Sequence, residues 1–262
     1  VAASGTQILL PLVAALVPPG NAAILGPTYK EHARAAAVAG HHVSEVHSFD
    51  ALGAADLAVV VNPNNPDGRV VSRSALLGLA RHLDARGGLL VVDEAFMDVG
   101  PRAESVADAA PQGGLVVLRS FGKFFGLAGV RLGFAIAAPR TAARLAARLG
   151  PWAVAGAALE YGLSALADKG WQETMRDRLA QEATRLDKYL ANAGVDVTGG
   201  TSLFRHVTLD GASRLYRCLG GHGVLVRAFA DRPRELRCGL PGNEAEWKRL
   251  AGALAAWRER SE

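Results

Sequence analysis

Through the first half of the chain, short apolar runs alternate with stretches whose apolar residues recur at helical spacing. The runs Ala22 to Leu25, Val43 to His47, Leu57 to Val61, Gly88 to Val92, Leu115 to Leu118 and Leu132 to Ala137 predict strands. Lys30 to Ala39 and Ser74 to Ala85 predict helices between them. The strands read as apolar throughout rather than at every second position, as in a sheet with helices on both faces. Ser4 and Gln7 stand at capping-box spacing before the apolar run Ile8 to Val17. A helix is therefore expected to begin near Gly5, kink at Pro11 and end at Pro18-Pro19-Gly20.

The texture changes after Pro139. Helices are predicted over Thr141 to Arg148, Ala153 to Ala167 and Trp171 to Ala193, the last with its charges on one side. Strand Leu203 to Leu209, helix Ala212 to Gly220, strands Val224 to Arg227 and Glu235 to Cys238, and helix Glu244 to Arg260 complete the pattern. The fold class read from this is α/β. A mostly parallel, doubly covered sheet occupies residues 1–150, and a smaller C-terminal α+β domain, residues 151–262, includes the connecting helices. The two meet near Gly150-Pro151.

Composition removes several classes. Half of the 262 residues are hydrophobic, and the 30 glycines and 12 prolines have no period, which excludes a disordered, collagen-like or solenoid chain. The net charge is +4, and 24 of the 29 basic residues are arginines spread along the whole sequence rather than gathered with aromatics, so no nucleic-acid partner is expected. Two cysteines, Cys218 and Cys238, without CxxC spacing or a histidine cluster, argue against a disulfide framework or zinc site. Apolar stretches break well short of the roughly 20 residues that span a bilayer. A soluble, cytoplasmic protein with no membrane partner is expected. The chain opens Val-Ala-Ala-Ser-Gly-Thr-Gln, with neither an initiator Met nor a basic leader, which suggests a segment before it.

In open α/β sheets ligands sit beyond the carboxyl ends of the strands. Three sequences there carry chemistry. Asn62-Pro-Asn-Asn-Pro-Asp-Gly68 follows a buried strand, and its two Asn-Pro steps hold an extended loop, although one such step alone is an ordinary turn. Asp93-Glu94 emerges from an apolar run, and a carboxylate there needs a cation or a donor. A Walker B reading fails because the chain has no GxxxxGK[ST] loop. Lys123 is one of five lysines, set among Phe121, Phe124 and Phe125. In a chain that prefers arginine, a lysine in aromatic surroundings suggests an amine that must deprotonate, the bland alternative being a snorkelling side chain.

The order Ser-Gly-Thr, Pro-Thr-Tyr, Asn-Pro-Asn-Asn-Pro-Asp-Gly, Asp-Glu-Ala-Phe, Ser-Phe-Gly-Lys with Arg eight residues on, and Leu-Arg-Cys-Gly-Leu-Pro resembles the fold-type I pyridoxal-phosphate enzymes of the class I/II aminotransferase family. The resemblance covers essentially the whole chain, short of an N-terminal arm and first helices. It implies pyridoxal 5'-phosphate as cofactor, with Lys123 condensing with its aldehyde, Asp93 on the pyridine nitrogen, Asn65 on the phenolic oxygen and Tyr29 on the ring face. Ser4, Gly5 and Thr6 at a helix N-terminus, with Ser120 and Arg131, would hold the phosphate. Taken alone, the Ser-Gly-Thr-Gln stretch reads as a cap. Arg237 would clamp a substrate carboxylate and Arg227 would face a substrate phosphate, with Arg232 and Arg234 competing for that role.

The resemblance further implies a homodimer and a small phosphorylated amino-acid substrate. Within the family the wording is most similar to the branch that decarboxylates L-threonine O-3-phosphate for cobalamin synthesis. The branch that transaminates histidinol phosphate comes next, and an inactive cofactor-binding module of a larger regulator is a third reading. Phe96 stands where many relatives carry a Tyr that tunes the lysine linkage, which weakens the case for transamination.

Overall fold

The computed structural model describes residues 1–259, so Arg260, the expected end of the last helix, lies outside the described residues. Contacts divide the chain into two compact units. One comprises residues 1–65 and 69–169, and the other residues 66–68 together with the chain from Gly170 onward.

The larger unit carries β1 (Ala2–Ala3), α1 (Thr6–Ala14), β2 (Asn21–Leu25), α2 (Glu31–Val38), β3 (His42–Val46), β4 (Leu57–Val61), α3 (Arg73–Asp84), β5 (Leu89–Asp93), β6 (Leu115–Ser120), β7 (Gly133–Ala137), α4 (Pro139–Leu149) and α5 (Gly156–Ala167). Its seven strands run in the order β1-β7-β6-β5-β4-β2-β3. The pairs from β3 through β6 are parallel, while β7 is antiparallel to both β6 and β1. Successive residues of the inner strands feed opposite cores. Val59, Val91 and Leu118 meet Leu9, Leu10 and Val13 of α1 and Ala35 and Ala36 of α2. Val60, Val92 and Val117 meet Leu76, Leu79 and Leu83 of α3. Each such fully buried side chain contributes on the order of 2 kcal/mol, which is why these strands read as continuous apolar runs. β3 departs from that pattern because it is an edge strand, mostly exposed.

The boundary expected near Gly150-Pro151 is not where the contacts divide. α4 and α5 go with the larger unit: Leu145 and Leu149 pack into the α1 core, and a Cβ on Gly162 of α5 would strike the Leu132 side chain. Helix α1 runs through Pro11 and stops before the predicted Val17, with the Ala15 N–H closing on the Pro11 carbonyl at 3.0 Å.

The smaller unit carries α6 (Lys169–Asn192), β8 (Val197–Thr201), β9 (Phe204–Thr208), α7 (Ala212–Gly221), β10 (Arg227–Phe229), β11 (Arg232–Gly239) and α8 (Glu244–Glu259). Its sheet, ordered β10-β11-β9-β8, turns Val207, Leu236 and Cys238 toward Leu186, Leu219, Trp247 and Leu250. Burial pushes the Cys238 thiol up to about 12. Strand β8 has no apolar run to announce it. Its Val-Thr-Gly-Gly-Thr is glycine-rich because Cβ atoms on Gly199 and Gly200 would meet the backbones of Asp67 and Phe204. The predicted strand at Val224 instead closes α7, its N–H donating to the Leu219 carbonyl at 2.9 Å. Pairing begins at Arg227. Among the described residues no helix is long and apolar enough to cross a membrane.

Just beyond β5, Glu94 is fully buried, yet every oxygen has a donor. Ser105 Oγ and the Val106 N–H each donate at 2.7 Å, and Arg119 of β6 donates at 2.9 Å while also pairing with Asp98. This brace ties the ends of β5 and β6 together. Arg119→Leu is expected to lower the unfolding free energy by about 3–5 kcal/mol, because it leaves a buried carboxylate without its cation. Glu94→Gln, which keeps most of the hydrogen bonds, should cost clearly less. Urea unfolding of both variants checks this, and equal losses would show that the stranded charge is not the cause.

Candidate active site

The loops after β4, β5 and β6 lie side by side. Val61, Asp93 and Leu118 are in register, and the ladder continues past them through Asn62 N–H to Asp93 O at 2.8 Å and Glu94 N–H to Leu118 O at 2.9 Å. Three chemical sequences separated in the chain thus leave one sheet edge together.

Asp93 is buried at that edge, and both of its oxygens are engaged. Oδ2 lies 2.8 Å from Nε2 of His32, and Oδ1 accepts the Ala95 N–H at 3.0 Å. The cation or donor that a carboxylate needs there is supplied within the protein by His32, which sequence reasoning passed over as an ordinary helix residue. Its signal was its position three and four residues before Ala35 and Ala36, the apolar stripe by which α2 packs on the sheet. The Tyr29 ring meets the His32 ring edge-on, with centroids 6.0 Å apart. Burial, then the carboxylates of Glu31 and Asp93, raise the Tyr29 phenol above its ordinary value, so it stays protonated at neutral pH.

Two of the three loop asparagines are structural. Asn62 exchanges hydrogen bonds with the Val71 backbone at 2.9 and 3.1 Å. Asn64 accepts from Thr28 Oγ1 at 2.6 Å and donates to the Pro27 carbonyl at 3.0 Å. Asn65 is half-buried at the same strand end.

A second locus forms where β1, β7 and β6 align Ala3, Gly133 and Ser120. After Ala3 the chain turns at Gly5, whose φ of 87° suits glycine, and α1 begins at Thr6. The Arg131 guanidinium lies so close to Gly5 that a Cβ there would collide with it, and a Cβ on Gly133 would collide with the Thr6 nitrogen. An arginine, a serine-bearing strand end and the first-turn amides of a helix therefore converge, and those amides lack acceptors inside the helix. Arg131 holds a left-handed backbone, and its Nη1 donates to the Ala128 carbonyl at 3.1 Å.

Two expectations change here. The Gly5 N–H is taken by the Ala3 carbonyl at 2.7 Å, so the available amides begin at Thr6. Ser4 does not cap the helix, because Gly5 holds the N-cap position and the Ser4 hydroxyl instead donates to the Ala153 carbonyl at 2.8 Å.

Lys123 is exposed on the loop after β6, which corrects the expectation that the neighbouring phenylalanines bury it. Phe121, Phe124 and Phe125 are buried against one another, with Phe121 and Phe125 stacked at 4.3 Å. The lysine Nζ lies 5.6 Å over the ring of Phe96, three residues beyond Asp93. The β5 loop, and not the lysine's own neighbours, supplies the aromatic surface under the amine.

In the smaller unit, Arg227 and Arg237 are directly opposite on β10 and β11. Arg237 is half-buried, 5.1 Å over the Phe204 ring, and burial followed by the Arg227 charge lowers its proton affinity. The competing arginines face carboxylates of their own unit, Arg232 with Glu235 at 2.8 Å and Arg234 with Asp210 at 2.9 Å.

The sequence is similar to two proteins named threonine-phosphate decarboxylase. One, from Pseudomonas aeruginosa, is 42% identical over 98% of this chain and 78% of its own length. The other, from a Sinorhizobium species, is 44% identical over 96% and 75%. The fold is similar to that of histidinol-phosphate aminotransferase from Sinorhizobium meliloti, solved in complex with pyridoxal 5'-phosphate. That likeness has a TM-score of 0.84 and 23% identity, over 100% of this chain and 77% of that one. Residues 1–254 match the family model described as aminotransferase class I and II, and the chain belongs to that family.

Proposed function

We propose that the chain is a pyridoxal-phosphate-dependent lyase that decarboxylates L-threonine O-3-phosphate to (R)-1-aminopropan-2-yl phosphate for cobalamin synthesis. The observation that carries this reading is the 42% and 44% identity to two threonine-phosphate decarboxylases over nearly the whole chain. The residues present fit the cofactor. Thr6, Ser120 and Arg131 offer amide, hydroxyl and guanidinium donors suited to a phosphate, and the Cβ-free Gly5 lets Arg131 close in. Asp93 offers a buried negative charge for the ring nitrogen.

When bound, pyridoxal phosphate supplies an aldehyde that captures an amine and a ring that accepts the electron pair of a broken Cα bond. Lys123 provides the resident amine. Asp93, held by His32 at 2.8 Å, would keep a proton at the ring nitrogen. Asn65 would hold the phenolic oxygen, and Tyr29 would cover the ring face. Within the smaller unit, Arg237 would take a substrate carboxylate and Arg227 a phosphate. Two guanidinium groups directly opposite on neighbouring strands repel, and an anionic substrate relieves that repulsion. The hold of these arginines on the substrate would decide which Cα bond is presented for cleavage, and so between loss of carbon dioxide and loss of a proton.

We extend the reading to a cytoplasmic homodimer. Trp152, Tyr161 and Leu163 are strongly exposed along one segment of the larger unit, apolar surface of the kind a second copy covers.

Purified protein supplied with pyridoxal phosphate and L-threonine O-3-phosphate is expected to release carbon dioxide without passing an amino group to 2-oxoglutarate. Amino transfer from histidinol phosphate without carbon dioxide release would select the aminotransferase reading instead. Arg237→Gln is expected to raise KM for the substrate about 10- to 100-fold, the worth of a charged hydrogen-bonding pair. Cofactor affinity, read by equilibrium titration, should stay unchanged.

A further inference from the structure

We propose that Gln7 is a positioning residue that holds Tyr29 against the cofactor ring, an assignment that rests on the cofactor reading above. The capping box that its spacing suggested is not formed, since Ser4 is engaged with Ala153. The Gln7 amide is used elsewhere. Its Oε1 accepts the Tyr29 hydroxyl proton at 3.2 Å, and its Nε2 donates to Glu31 Oε2 at 2.7 Å, an oxygen that also accepts from Arg34 at 3.1 Å.

The consequence follows from where these residues sit. Gln7 is in the first turn of α1, whose amides face the anion-binding locus. Tyr29 and Glu31 flank the start of α2, the helix that delivers His32 to Asp93. One side chain therefore couples the phosphate end of the site to the aromatic plate and to the helix behind the ring nitrogen. The bond also has a direction. By giving its one proton to Gln7, the Tyr29 oxygen is left as an acceptor, which suits a ring plate and not an acid or base. Gln7 and Tyr29 are exposed and Glu31 is half-exposed, so these bonds matter little to folding.

A double-mutant cycle tests this, reading cofactor dissociation constants from fluorescence quenching as the apoprotein is titrated with pyridoxal phosphate. Gln7→Met keeps the side chain's length and removes both bonds. It is expected to weaken binding about three- to tenfold with no change in melting temperature of the apoprotein. In the Tyr29→Phe background the same substitution is expected to change affinity by less than about twofold. An equal loss in both backgrounds, or no loss in either, overturns the assignment while leaving the cofactor reading intact. Failure of the unsubstituted protein to bind the cofactor at all overturns both.

Discussion

A negative charge buried at the end of a central strand is the constraint around which the larger unit is arranged. Asp93 sits where the apolar β5 runs out, and leaving its carboxylate unpaired there would cost several kcal/mol. Its two oxygens are answered by His32 from α2 and by the Ala95 amide from its own loop. That requirement fixes how α2 must pack, and the alanines at 35 and 36 allow the helix to come close enough to deliver the imidazole. The same helix start brings Tyr29 edge-on to the His32 ring, so the placement of Tyr29 follows from satisfying the carboxylate.

The next residue obeys the same rule on the other side of the sheet. Glu94 points the opposite way and is neutralised by Arg119, the residue before Ser120. Alternate side chains of β5 and β6 thus serve chemistry on one face and bracing on the other, as the two-residue period of a strand requires. The loops after β5 and β6 are thereby anchored at their roots, while Lys123 stands on an exposed turn.

The sequence made the sheet legible because strands buried on both faces must be apolar at nearly every position, and β4 matches its expected limits of Leu57 and Val61. Family membership was legible from the order of short motifs. Features that depend on distant partners were not. Ser4 and Gln7 have the right spacing for a cap, yet their hydrogen bonds go to Ala153 and Tyr29, contacts across 149 and 22 positions that no local pattern encodes. His32 reads as any helix residue because its partner Asp93 lies 61 positions away. β8 was hidden because close backbone approach demands glycine where a strand would otherwise show apolar residues. The phenylalanines around Lys123 misled for a related reason, since neighbours in a turn can point away from one another.

The central claim is that Lys123, over the Phe96 ring of the Asp93 loop, is the amine that captures the cofactor. Borohydride reduction of the cofactor-loaded protein followed by peptide mass mapping tests it directly. The account predicts a single modified lysine at position 123. A label on Lys30, Lys169, Lys188 or Lys248, or on no lysine, would contradict it.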